Sequence, residues 1–128
     1  MSNFKLFDIL SVFSDTQMSQ FGKFIRSPYF NNNQTLIDLF EYLSSFHPNY
    51  DNKRLSSEKL WSYLYPSRLF DDAEIRRLRS SLLKKIEHFI GVSKLEEQKV
   101  LLQKEVLGFY TDSLLKKHAK TALDNAQK

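Results

Sequence analysis

The chain has 128 residues and a formal net charge of +4, with 41% hydrophobic, 14% aromatic and 27% charged residues, the balance of a soluble globular domain. Three Gly and three Pro are too few turn formers for a many-stranded sandwich or barrel, which leaves helix as the fold class. The absence of Cys excludes a disulfide framework, thiol catalysis and thiolate zinc sites, and is compatible with a reducing compartment, so the cytoplasm is the expected setting.

The N-terminus carries charges at Lys5 and Asp8 and lacks the roughly 7–15 uncharged apolar residues of a secretory signal. No stretch approaches the roughly 18 apolar residues that span a bilayer, so no membrane role is expected. Helices are predicted near residues 3–13, 15–26, 33–46, 57–65, 72–90, 94–110 and 112–126. The first has only Lys5, Asp8 and Ser11 in a narrow polar stripe and should be nearly surrounded. Ahead of the second, Ser14 and Gln17 form a capping box, in which each side chain satisfies an open backbone N–H; Phe13 and Met18 flank it as a hydrophobic staple. Asn32 or Asn33 can cap the third, where Leu36, Leu39, Phe40 and Leu43 make one apolar stripe. Ser56 caps the fourth.

The fifth predicted helix opens on Asp71 and Glu74, stapled by Phe70 and Ile75. It carries Ile75, Leu78, Leu82, Ile86 and Phe89 along one face. Ser93 with Glu96 reads as a third capping box, and the last helix shows Leu115, Ala119, Ala122, Leu123 and Ala126. Stops fall where Ser27, His47 and Tyr65 precede Pro, which disfavours helical geometry at the preceding residue, and at Gly91, which can take a left-handed C-terminal position. Gly108 with Thr111 and Asp112 offers the last break. These elements make an all-α, multi-helix orthogonal bundle of six or seven helices, with a C-terminal pair resembling the start of a helical repeat. Fifteen of the eighteen aromatic residues lie at or before Phe70. The aromatic core therefore belongs to a compact domain, residues 1–91, and residues 92–128 form a lighter helical extension that packs on it or on a partner.

Candidates for catalysis do not converge. His47, His88 and His118 have no second His or acid at a metal-binding spacing, and the adjacent acids Asp71–Asp72 and Glu96–Glu97 sit in first turns, where capping and the helix dipole account for them. Gly22, Gly91 and Gly108 are isolated, so no glycine loop cradles a phosphate, and no Ser lies in a nucleophile elbow. No enzyme, cofactor or metal is expected.

The basic excess is concentrated: residues 51–128 hold sixteen Lys or Arg against eleven acids. Arg76, Arg77, Arg79, Lys84 and Lys85 lie on the helix that follows the break at Pro66, as in a helix-turn-helix whose second helix enters the major groove. On a helical wheel Arg77, Ser81, Lys84 and His88 share a polar face that could meet phosphates. The link from Pro66 to Phe70 is longer than such a motif uses, a wing is missing, and the face lacks Asn and Gln to read bases. A solvated basic face is the simpler account. Arg79 falls within the apolar arc, where it must pair, snorkel or stack on an aromatic ring.

Phe21 to Asn31 (Phe-Gly-Lys-Phe-Ile-Arg-Ser-Pro-Tyr-Phe-Asn), Lys59 to Pro66 (Lys-Leu-Trp-Ser-Tyr-Leu-Tyr-Pro) and Phe70 to Leu83 resemble segments of a group of uncharacterised all-helical proteins from Bacteroidota-type bacteria. The resemblance runs along the whole chain. It implies a longer protein that continues as further helices, and it brings no activity, cofactor or catalytic residue. Ser57 to Leu83 also resembles, more distantly, the DNA-binding half of bacterial transcriptional activator domains, although Tyr65 interrupts the Leu-Trp-Pro pattern. The leading expectation is a non-enzymatic interaction or scaffolding module, the N-terminal part of a larger helical assembly. It would engage a protein partner or a second copy through Leu101, Leu115 and Leu123, with Lys104, Lys116, Lys117 and Lys120 favouring acidic partners. The alternative is a DNA-binding domain using the basic helix 72–90.

Overall fold

A computed structural model describes the backbone of residues 2–126 and the side chains of residues 5–121. Five α-helices follow one another: α1 (Ser2–Val12), α2 (Asp15–Arg26), α3 (Gln34–Ser44), α4 (Ser57–Leu64) and α5 (Asp72–Ala126), with one 3-10 turn at Lys53–Leu55 and no strand among the described residues. By its contacts the chain divides into two units, Met1–Phe89 and Ile90–Lys128.

The start signals act as the sequence predicts for α2, α3 and α4. The Ser14 hydroxyl accepts from the Gln17 N–H at 3.1 Å while Gln17 Oε1 accepts from the Ser14 N–H at 2.8 Å, and Asn33 accepts from the Thr35 N–H at 3.0 Å. Ser56 accepts from Lys59 at 3.3 Å. At α5, Asp71 accepts from the Glu74 N–H at 3.2 Å, but the Glu74 carboxylate turns to Arg77 instead of closing the box. Ser27 and Tyr65, each before a Pro, cap the ends of α2 and α4.

The last three predicted helices are one. Helix α5 runs 55 residues without a break, so the expectation of six or seven helices with a repeat-like C-terminal pair is corrected to five. Gly91 and Gly108 both keep negative φ, so neither adopts the left-handed geometry that would stop the helix. A lone Gly lowers helix propensity by about 1 kcal/mol relative to Ala, whereas an interior Pro costs about 3; there is no Pro after Pro66. Ser93 and Glu96 therefore sit in mid-helix.

In the first unit the core is aromatic. Phe21 meets Phe40 edge to face at 4.9 Å and Phe89 at 5.4 Å, and Phe89 also touches Phe24 and Phe13 at 5.5 and 6.1 Å between ring centroids. Leu39, Leu43, Ile75, Leu82 and Ile86 are fully buried beside them. Helix α1 contributes Leu6 and Leu10, but Lys5, Asp8 and Val12 are exposed; it packs on one side and is not surrounded. Gly22 lets α2 approach α3, since a Cβ there would lie 3.5 Å from the Phe40 ring and 2.8 Å from the Arg26 guanidinium.

Tyr50 is the costly member of this core. Its ring stacks on Phe7 at 5.8 Å, yet its buried hydroxyl has no hydrogen-bond partner, and burial pushes its pKa up to about 12. The neutral form is thus favoured in the folded chain. Its contribution is fully present below pH ~10, the ordinary Tyr value, and is lost as pH rises towards 12, by at most ~3 kcal/mol. Tyr50→Phe is expected to abolish this alkaline loss and to raise stability near neutral pH by about 1 kcal/mol, as read by urea unfolding at pH 7 and across pH 9–11.5. Gly108→Ala, with no atom within 4 Å of the added Cβ, should increase far-UV helicity; a helix that stops at Gly108 would gain nothing.

Candidate interaction surface

The groups able to do chemistry remain apart. Among the described residues no three His, Asp or Glu side chains gather as a metal site. The His47 ring donates from Nε2 to the Phe13 carbonyl at 2.7 Å, with Asp15 3.6 Å from Nδ1. His88 stands edge-on to Phe24 and Phe30, and His118 is exposed on α5. An open cleft of about 410 Å³ lies along Phe7, Asp8, Ser11, Pro48 and Tyr50, without a nucleophile and base in contact.

The basic residues of α5 are dispersed. Arg76 pairs with Asp72 at 2.6 Å and Arg77 with Glu74 at 3.5 Å, while Lys85 Nζ donates to the Phe30 carbonyl at 2.6 Å. Lys84 is exposed. Arg79 is only 2% exposed, which corrects its assignment as a phosphate contact: its guanidinium faces inward, donating to the Ser57 hydroxyl at 2.8 Å, and its Nε is buried without a partner. Burial lowers its pKa; the negative charge of Asp72 opposes this and the positive charge of Arg76 adds to it. The ring that sequence alone offered to Arg79 belongs to another residue, because Arg68 lies over both Trp61 and Tyr65, 5.3 and 4.6 Å from their centroids. Trp61 returns a hydrogen bond from Nε1 to the Arg68 carbonyl.

In the Phe21 to Asn31 segment, Phe30 stacks on Phe24 at 4.3 Å. Asn31 is buried with its amide donating to the carbonyls of Ile25 and Asn33. Of the segment's aromatic side chains Tyr29 alone projects, 89% exposed.

The second unit differs in kind. From Lys94 to Thr121 every residue of α5 is exposed, including ten large apolar or aromatic side chains between Leu95 and Leu115. At 100° per residue, Leu95, Leu102, Val106 and Phe109 fall within an arc of about 60°. Val100, Leu107 and Leu114 make a second stripe at seven-residue spacing. Leu101 and Leu115, 60% and 63% exposed, lie on another side with Gly108 between them, and Leu123 lies outside the residues whose side chains are described. The first stripe lies wholly within the predicted helix 94–110 and was available to spacing alone, whereas the second reaches Leu114 only when one helical phase is carried past residue 111. No helix among the described residues is long and apolar enough to cross a membrane.

Comparison of the chain with protein-family models, curated proteins and solved structures finds no match.

The Arg79–Ser57 contact gives a test of what the buried cation contributes. Ser57→Ala is expected to destabilise by about 1.5–3 kcal/mol, the loss of a hydrogen bond to a charged group. Arg79→Met should be neutral or stabilising, because it removes a buried charge that lacks a carboxylate partner. In the double variant the Ser57 effect should nearly vanish, which a double-mutant cycle in urea would read out.

Proposed function

We propose that the chain is a non-enzymatic, cytoplasmic module for protein–protein interaction, in which residues 1–91 form the compact domain and residues 92–128 the extension that meets a partner. The observation that carries this reading is the unbroken exposure of α5 from Lys94 to Thr121. Apolar patches of several hundred Å² are already unusual on monomeric proteins. The ten exposed side chains here, spread over three sides of one helix, together exceed that size, which supports an interaction surface. Helix-in-groove and helix-on-helix recognition use anchors at this spacing, and Lys104, Lys116, Lys117 and Lys120 bias the surface towards acidic partners.

The basic helix 72–90 supports DNA binding less well. Of the five residues available for it, Arg79 is buried, Lys85 is tied to Phe30, and both Arg76 and Arg77 already hold carboxylates.

Photo-crosslinking residues placed at Leu101 and Leu115 in living cells are expected to give a discrete protein adduct, and the same residue at exposed Gln20 on α2 none. Absence of adducts at both α5 positions would overturn the proposal.

A further inference from the structure

Resting on that interaction reading, we infer that α5 is the central helix of a complex: residues 95–120 lie in a cleft between helices of a partner protein, and the partner helix that meets the Leu102 side is acidic. The number of sides comes from spacing. Leu95, Leu102 and Phe109 recur every seven residues, as do Val100, Leu107 and Leu114, and Leu101 and Leu115 flank Gly108 at the same interval. Seven residues is the repeat at which a helix keeps a common seam with a neighbouring helix. At 100° per residue the three seams stand about 100–140° apart, and all their residues are exposed. One partner helix covers an arc of about 100°, so a single neighbour leaves two seams in water. An apolar pattern on every side is that of a helix buried on every side.

Charge says what faces the first seam. The arc of about 100° that holds Leu95, Leu102 and Phe109 also holds Lys99, Lys117 and Lys120 and no carboxylate. Glu96, Glu97, Glu105 and Asp112, the acids between Lys94 and Thr121, all fall about 40° or more outside it. Glu97 is moreover paired with Lys94 at 3.7 Å, whereas among the described residues Lys99 and Lys117 hold no carboxylate. The first seam is thus an apolar strip edged by cations alone, and Asp or Glu on the helix laid against it supplies the complementary charge. A second copy seated on its own first seam would add cations to cations. An anionic lipid surface would suit the Lys but leave the other two seams in water, where an interfacial helix presents a polar face.

The test uses the full chain in the cells that make it, with a photo-crosslinking residue at Leu102, Leu107 or Leu101, one per seam, and sequencing of the crosslinked peptides by mass spectrometry. The expected result is one partner protein joined from all three positions through different helices, with Asp or Glu within one turn of the residue joined to position 102. Lys99→Glu with Lys117→Glu and Lys120→Glu is expected to lower the Leu102 adduct about tenfold, and the same three Lys→Arg changes to leave it intact. The single Trp, Trp61, is buried in the first unit, so unchanged Trp61 fluorescence and melting would show that the charge variant remains folded. An adduct from one position only, or different proteins from the three, overturns the enclosure. A Leu102 adduct indifferent to charge reversal, or joined to a peptide without acids, overturns the acidic helix, and an adduct with a second copy of this chain or with lipid overturns a foreign partner. Absence of adducts at all three positions removes the interaction reading as well, whereas any protein adduct leaves that reading standing.

Discussion

Phe89 is the residue on which the arrangement turns. It is the last buried side chain of α5 among the described residues, held by Phe13, Phe21 and Phe24 at ring-centroid distances of 5.4 to 6.1 Å. Edge-to-face pairs of this kind contribute roughly 0.5–1.5 kcal/mol each beyond the area they bury. Three such contacts join α5 to the α1–α2 junction and to α2, so the N-terminal segments and the first five turns of α5 share one core. Before Phe89 the helix alternates buried and exposed positions as a packed helix does. After it, side-chain burial by the chain's own elements falls away within a few residues.

That division explains why a single helix serves two purposes. Forming the first turn is the expensive step in making a helix, and each later residue adds one hydrogen bond for one residue ordered. In α5 the packed stretch Asp72–Phe89 supplies the nucleus. Gly91 and Gly108 then cost about 1 kcal/mol each, too little to end a helix that is already running. Residues 94–121 are thereby held helical without a core of their own, and a surface already in its binding conformation loses less entropy on association than one that must fold first.

The legible and illegible parts of the sequence follow from the same contrast. Ser14, Asn33 and Ser56 could be read as caps because a cap is a local arrangement of four or five residues, all present in the sequence window. The Pro stops were legible for a similar reason, as Pro forbids the helical hydrogen bond outright. Ser93–Glu96 looks identical to a cap, yet a cap forms only where the preceding residue leaves the helix, and nothing at Gly91 compels that. The pattern was permissive, and the continuing ladder on both sides outcompeted it. For the candidate site, the exposure of Leu101 and Leu115 was within reach, because the apolar stripes beyond residue 93 plainly lacked neighbours in the sequence. The face through Leu102 and Phe109 was equally within reach, since it lies inside one predicted helix; only the stripe through Val100, Leu107 and Leu114 depends on the absence of a break.

Arg79 shows the same limit in tertiary terms. Its place in the apolar arc of α5 was visible from spacing, and so was the need for a partner. Which partner was not: Ser57 stands 22 residues upstream on α4, while Arg68, only eleven residues away, occupies the Trp61 and Tyr65 rings. Once those rings are taken, a guanidinium at position 79 has one hydroxyl and no carboxylate within hydrogen-bonding reach. A charge so placed is poor at stabilising and strict about geometry, because any shift of α4 along α5 leaves it with nothing. The α4–α5 contact is therefore held in a single register by a residue whose place in the apolar arc was legible in the sequence but whose Ser57 partner was not.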